Sequence, residues 1–213
     1  MPSAWPTQAE VLTYLAGANF TVSPALVTAG RIASAVGMIE QATGWIPFLR
    51  DSNDTTRPFN PPGFGGKRYA TPRGGGRMLR LDKGLVTLTS LSVSGVAQVL
   101  GTDFFLKAFR SDGPYELVEF AGPVHGNIQC ISIVGKWGFS ATIPDLVWEA
   151  CMLFTGSLVA TALRESVIAG GSKFEEGDES VSYDSATLLK LGKGFSESAK
   201  ELISPFVRVT AGH

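Results

Sequence analysis

The chain has 213 residues, of which 18 are basic and 19 acidic, for a formal net charge of -1 at neutral pH. That balance supplies no bulk electrostatic drive toward nucleic acid or an anionic membrane, so any such contact must come from a local patch. Only 17% of the residues are charged and 44% are hydrophobic, more apolar surface than a soluble monomer of this length comfortably hides, which points to self-association.

No basic region followed by an apolar run occurs in residues 1–10, so no secretory signal is expected and synthesis in the cytoplasm follows. A short helix is predicted over Gln8 to Ala16. Ser23-Pro24 then supplies a cap and a first-turn proline for a helix over Ala25 to Thr43, whose Leu26, Ala29, Ile32, Ala33, Val36 and Ile39 share one face. Gly44 ends it, and Gly30 and Gly37 lie near one azimuth where a second backbone can approach closely. From Arg50 to Gly76 the composition is Pro, Gly, Asn, Asp and Thr with little apolar periodicity, which predicts a long flexible loop.

Strands are predicted at Met78 to Leu81, Leu85 to Val93, Ala97 to Leu100, Phe104 to Phe109, Tyr115 to Phe120 and Ile128 to Val134, separated by turns such as Ser94-Gly95. Pro144 opens a second long helix, Asp145 to about Ala169, stopped by Gly170-Gly171. This helix is apolar nearly all round, but Glu149, Thr155, Ser157 and Thr161 interrupt it and no basic loop sets an orientation, so core and intersubunit burial is preferred to a membrane span. Residues 172–213 carry an acidic cluster (Glu175, Glu176, Asp178, Glu179) and a weakly amphipathic stretch, Ser185 to Ile203, read as an arm. The expected fold is α+β: a small helical bundle with two long helices, an inserted small antiparallel sheet and an extended C-terminal arm. Residues 1–170 form the expected core domain and 171–213 the arm.

Chemistry-bearing motifs are scarce. A P-loop around Gly66-Lys67 fails because Arg68 follows and Pro61 occupies the first glycine position, and Gly63, Gly65 and Gly66 do not complete a dinucleotide-binding fingerprint. With only His125 and His213, a histidine metal site or triad has too few members, and the acidic run lacks the ligand spacing of a calcium loop. Cys130 and Cys151 sit among apolar neighbours and read as buried thiols. Asp103, Glu116 and Glu119 alternate with apolar residues and read as the solvated side of strands, which makes an acid-base site in the sheet the weaker reading. No catalytic residue, metal or cofactor is assigned. One dense feature remains: Arg57, Lys67, Arg68, Arg73, Arg77, Arg80 and Lys83 hold more than a third of the basic residues. Of these, Lys67, Arg68, Arg73, Arg77 and Arg80 are expected to meet a partner surface or DNA by charge alone, since no recognition helix or stacking platform accompanies them.

Three segments resemble the head-tail connector, or adaptor, family of long-tailed double-stranded DNA bacteriophages. They are ALVTAGRIASAVGMIEQATGWIPF (Ala25 to Phe48), GRMLRLDKGLVTLTSLSVSGVAQVLGTDFFL (Gly76 to Leu106) and ISIVGKWGFSATIPDLVWEACMLFTGSLVATALRES (Ile131 to Ser166). In the last, Trp137-Gly138 supplies a bulky anchor and a sharp exit from a strand, and Pro144 fixes the first helical dihedral. In the family an arginine often follows the glycine, where Trp45-Ile46-Pro47 stands here, and the long Pro/Gly loop is larger than the resemblance leads one to expect. The resemblance implies a non-enzymatic virion protein in the neck, made in the bacterial cytoplasm. It forms a ring, commonly a dodecamer, that docks on the portal protein, receives a stopper or tail-terminator protein and lets double-stranded DNA pass, with no membrane involved. The alternative is another virion interaction protein, such as a tail-completion or capsid-associated module.

Overall fold

The computed structural model describes residues 2, 4–45, 47–63, 76–110, 113–168, 175–176, 179–180 and 183–208. The chain divides into two compact units, Met1–Gly44 with Thr142–His213, and Trp45–Ala141.

The first unit is helical. Helix α1, Gln8–Gly17, opens on a capping box in which Thr7 Oγ1 accepts from the Glu10 amide and Glu10 Oε2 accepts from the Thr7 amide, so two otherwise orphaned donors are satisfied. Ser23 and Pro24 do start a helical turn, but only the 3-10 turn Pro24–Leu26. Helix α2, Ala29–Thr43, begins with Thr28 as its cap, and ends at Gly44, whose φ of +76° places it in the left-handed region that glycine adopts without penalty. Helix α3, Asp145–Ile168, is apolar on nearly every side because its middle, Ala150 to Gly156 with Val159 and Ala160, is buried: α1, α2 and α4 (Ser185–Ile203) all pack on it. It is long and apolar enough to cross a membrane, yet 61% of its most apolar window is buried inside the protein, so its composition is that of a core helix. Tyr14 of α1 donates to Glu149 Oε1 of α3 at 3.1 Å, and burial together with this bond pushes the phenol up to about 12.

The described part of the second unit is a six-stranded antiparallel sheet in the order β1-β6-β2-β5-β4, with β3 paired to β2. The strands are β1 Thr55–Phe59, β2 Met78–Val93, β3 Val96–Ala97, β4 Phe104–Lys107, β5 Tyr115–Phe120 and β6 Ile131–Trp137. The long β2 organises the unit. Its first half pairs with β5 (Leu79 opposite Val118) and its second with β6 (Leu91 opposite Ile133), and the register shifts between Arg80 and Leu85. A shift of that kind bends a strand. Leu79, Leu81, Leu85 and Leu91, drawn from both halves, therefore converge with Phe104, Val118, Phe120, Ile131, Ile133 and Trp137 in one core. Gly84 sits in the bend where a Cβ would meet Pro114 and the Gly138 carbonyl, so only glycine fits.

The expected architecture requires correction. The sheet is not a small insert in a helical bundle but the substance of a compact unit of its own, three helices rather than two are long, and the C-terminal region is not an extended arm. Residues 185–203 form α4, which buries Leu188, Gly192, Ala199 and Ile203. Ser157 Oγ of α3 donates to the Gly192 carbonyl at 2.8 Å, and Arg164 Nε donates to Ser185 Oγ at 3.3 Å. The 50–76 loop also shortens, because Thr55–Phe59 pairs with β6 as an edge strand. An edge tolerates the missing amide of Pro58. Residues 64–75 lie outside the described residues. Two predicted strands, Met78 to Leu81 and Leu85 to Val93, are one, and Glu175–Glu176 pairs with Glu179–Ser180 as a short ladder.

Leu188 is 1% exposed, so Leu188→Ala is expected to cost about 2–5 kcal/mol. Thermal unfolding should fall by roughly 2–4 °C per kcal/mol for a chain of this size. An unchanged midpoint would restore the arm description. For Tyr14, the raised pKa means that the neutral phenol is favoured in the fold. Its stabilisation is present below the ordinary tyrosine range near 10 and is lost as pH climbs toward about 12. An alkaline spectrophotometric titration should show one late-ionising tyrosine that disappears in Tyr14→Phe.

Candidate functional site

The strand exit at Trp137-Gly138 is tightly specified by its packing and backbone bonds. Trp137 is fully buried, its Nε1 donates to the Thr55 carbonyl at 3.1 Å, and its ring lies 5.8 Å from that of Phe59. The Arg57 guanidinium lies 4.8 Å from the Trp137 ring centroid, a cation over a π face, and its other side approaches Asp82 at 3.7 Å. Gly138 has φ of +151°, and a Cβ there would stand 2.6 Å from the Arg50 Cα. Glycine is required on both counts.

Around this exit the backbone is bonded in three directions. The Gly138 amide donates to the Gly84 carbonyl at 2.9 Å, the Asp51 amide donates to the Trp137 carbonyl at 2.9 Å, and the Phe139 amide donates to the Phe48 carbonyl at 2.9 Å. Phe139 stacks at a tilt on Phe48 (4.8 Å between centroids) and on Trp45 (5.2 Å), and all three are buried. The sequence reading passed over this aromatic trio. Its signal was present in the closely spaced Trp45 and Phe48, which were assigned to a helix exit rather than to packing.

The predicted junction is thus divided between units. Trp137 and Gly138 belong to the sheet unit, and Pro144 belongs to the helical unit, where its carbonyl accepts from the Val147 and Trp148 amides at 2.9 and 3.0 Å to start α3.

Of the predicted charge cluster, Lys67, Arg68 and Arg73 lie outside the described residues. Arg77 and Arg80 are exposed at the start of β2, where Arg77 donates to the Ala121 carbonyl. Arg80 projects on the outward face of β2, β5 and β4 with Met78, Tyr115, Glu119, Phe105 and Lys107, the last ion-paired to Glu119. Among the carboxylates of the rival acid-base reading, Glu119 faces outward as expected. Asp103 Oδ2 accepts from the Val99 amide at 2.8 Å, and Glu116 is buried at 4% exposure, against expectation. The alternation along β5 is regular: Glu116 is in phase with the buried Val118 and Phe120, and Glu119, three residues on, falls on the opposite face. Among the described residues no group of three or more His, Cys, Asp or Glu side chains is gathered to hold a metal ion.

Both thiols are free, Cys151 buried and Cys130 only partly so. Burial pushes the Cys151 thiol up to about 12 and raises that of Cys130. A thiol-reactive probe at mildly alkaline pH should therefore label Cys130 in the native protein and reach Cys151 only on unfolding. Equal labelling of both in the folded chain would contradict the burial. Trp137→Ala is expected to cost about 3–5 kcal/mol, and Gly138→Ala at least about 1–3 kcal/mol from backbone strain alone. Thermal melts of the two variants check both, and wild-type midpoints would show that the exit is not a structural anchor.

A scan against protein-family models finds no match to this chain, and a search of the curated proteins finds none either.

Proposed function

We propose that the chain is a non-enzymatic structural subunit of a homo-oligomeric ring, commonly twelve-fold in the family it resembles, that lies beneath the portal of a long-tailed double-stranded DNA bacteriophage. The ring joins head to tail and extends the DNA channel. The observation that carries this reading is a convergence. The three segments that bear the resemblance are far apart in sequence, yet parts of all three meet at one point: Phe48 bonds to Phe139, Gly84 bonds to Gly138, and Leu85 pairs with Trp137. A likeness distributed over a single packed device is less readily produced by chance composition than one spread over unrelated loops.

The surface is consistent with a protein that works by assembling. Large apolar side chains stand more than half exposed at Met78, Val96, Val99, Leu100, Phe109 and Ile128, a distribution suited to partner contacts. A ring built head to tail uses two different faces of each subunit. Native mass spectrometry of the purified protein with portal rings tests the proposal: a portal complex carrying a full complement of copies supports it, and a chain that stays monomeric and never joins the portal refutes it.

The charge cluster Lys67, Arg68, Arg73, Arg77 and Arg80 would act in this setting on passing DNA or an acidic virion surface, without base-specific contact. Each phosphate neutralised adds about 0.9 to the salt slope, so contacts by several of these residues should weaken steeply with salt. Replacing Lys67, Arg68, Arg73 and Arg80 with Gln is expected to lower tail attachment or DNA retention in a salt-dependent way while thermal stability is kept. Normal particle yield across that salt range would reduce the cluster to a solvated loop.

A further inference from the structure

At one end of the sheet, β2 turns into β3 through Ser94 and Gly95, both with positive φ (+49° and +82°). This is the geometry of a tight two-residue hairpin. The Ser94 amide donates to the Cys130 carbonyl at 2.7 Å, which brings residues 126–130 beside the hairpin, and the Gln129 amide, itself at φ +58°, is held by Asn60 Oδ1 at 2.9 Å. The result is a braced projection that presents Val96, Val99, Leu100 and Ile128 at 64%, 60%, 55% and 65% exposure. Residues 94–102 and 126–135 contain no charged side chain. In the helical unit, the segment around Trp5 and Pro6 and the side of α2 that carries Ala33 and Val36, with the buried Ile32 between them, line a groove of about 470 Å³ whose lining carries no charged side chain either.

We infer that neighbouring copies of this chain meet knob into groove, the Val96/Val99/Leu100/Ile128 projection of one copy seating against Trp5, Ile32, Ala33 and Val36 of the next. The inference rests on the ring reading and adds its contact surfaces. Charge selects the occupant: a partner with charged groups would strand them unpaired against either surface, whereas a second copy offers one uncharged surface to the other. Area sets the strength. Four half-exposed aliphatic side chains present only a few hundred Å², below the ~800 Å² per partner of a standard stable interface. A single knob-groove contact is therefore too small to hold a tight dimer. In a closed ring each copy uses its knob once and its groove once, and closure secures all the contacts together.

The test uses the full chain in a Cys130→Ser background. Val96→Cys combined with Ala33→Cys, oxidised at concentrations where the protein associates, is expected to give a ladder of covalent multimers that neither single variant gives. Absence of species beyond dimer overturns the inference, as does efficient dimerisation of Val96→Cys alone, which would mean a tip-to-tip contact. Separately, Val96→Asp with Ile128→Asp lies on exposed positions and should keep the wild-type circular dichroism. It should raise the concentration for half-maximal association at least tenfold, and an unchanged value overturns the inference. If the charged tip abolishes portal binding while the double-cysteine chain gives no ladder, the tip docks on the portal and the homotypic contact is refuted. The two readings fail separately. A charged-tip variant that still builds portal-bound rings sinks the knob contact alone, and a wild-type chain that forms the ladder but never joins the portal sinks the connector reading alone.

Discussion

A bond between two glycine backbones, Gly138 N–H to the Gly84 carbonyl at 2.9 Å, sets the geometry on which the sheet unit depends. Both residues stand where a Cβ would overlap backbone, Gly84 against the Gly138 carbonyl and Gly138 against Arg50. Without side chains there, the bend of β2, the end of β6 and the strand-like segment at Leu49 and Arg50 can approach one another directly. Trp137, the residue before Gly138, is fully buried and its indole donates to the Thr55 carbonyl. The bend then allows the two halves of β2 to contribute to one core instead of leaving a flat sheet with one face uncovered.

In the helical unit the governing constraint is different. Helix α3 has almost no polar side to turn to water, so its stability depends on the number of neighbours that cover it rather than on an amphipathic stripe. Helices α1, α2 and α4 provide that cover. Gly156 lets Leu15 and Phe195 pack against α3 at close range, and Phe20 lies against Tyr183 and Phe195 at 5.5 and 5.8 Å between ring centroids. Each fully buried aliphatic or aromatic side chain of this kind contributes about 1.5–3 kcal/mol. The loss of one covering helix would uncover several at once.

Much of this was legible in the sequence wherever local chemistry and tertiary environment agree. The α3 boundaries, its burial and the strands around Leu85 to Val93 and Tyr115 to Phe120 follow from periodicity and turn residues, whereas periodicity ended the last strand at Val134 and the Trp137-Gly138 exit came with the family resemblance. What was missed follows from two physical causes. Pairing is non-local: β1 reads as a loop because Thr55–Phe59 holds a proline and threonines, and only β6, more than seventy residues on, makes it a strand. Packing supplies the other cause: Ser185 to Ile203 reads as amphipathic, but its polar composition and the helix-weakening Gly192 and Gly194 do not tell a docked helix from an arm, and only its contacts with α3 make it part of the core. For the site, the glycine and tryptophan of the exit were readable as residue types. Their meeting with Gly84 and Phe48 was not, because it depends on the bend in β2.

The functional account reduces to whether this chain closes a ring around a channel. Electron microscopy of the purified protein, imaged alone at high concentration and again after mixing with portal rings, examines that claim most directly. The account predicts class averages of closed rings with a central opening wide enough for duplex DNA, seated coaxially on the portal. Averages showing only single compact particles and bare portals under both conditions would contradict it.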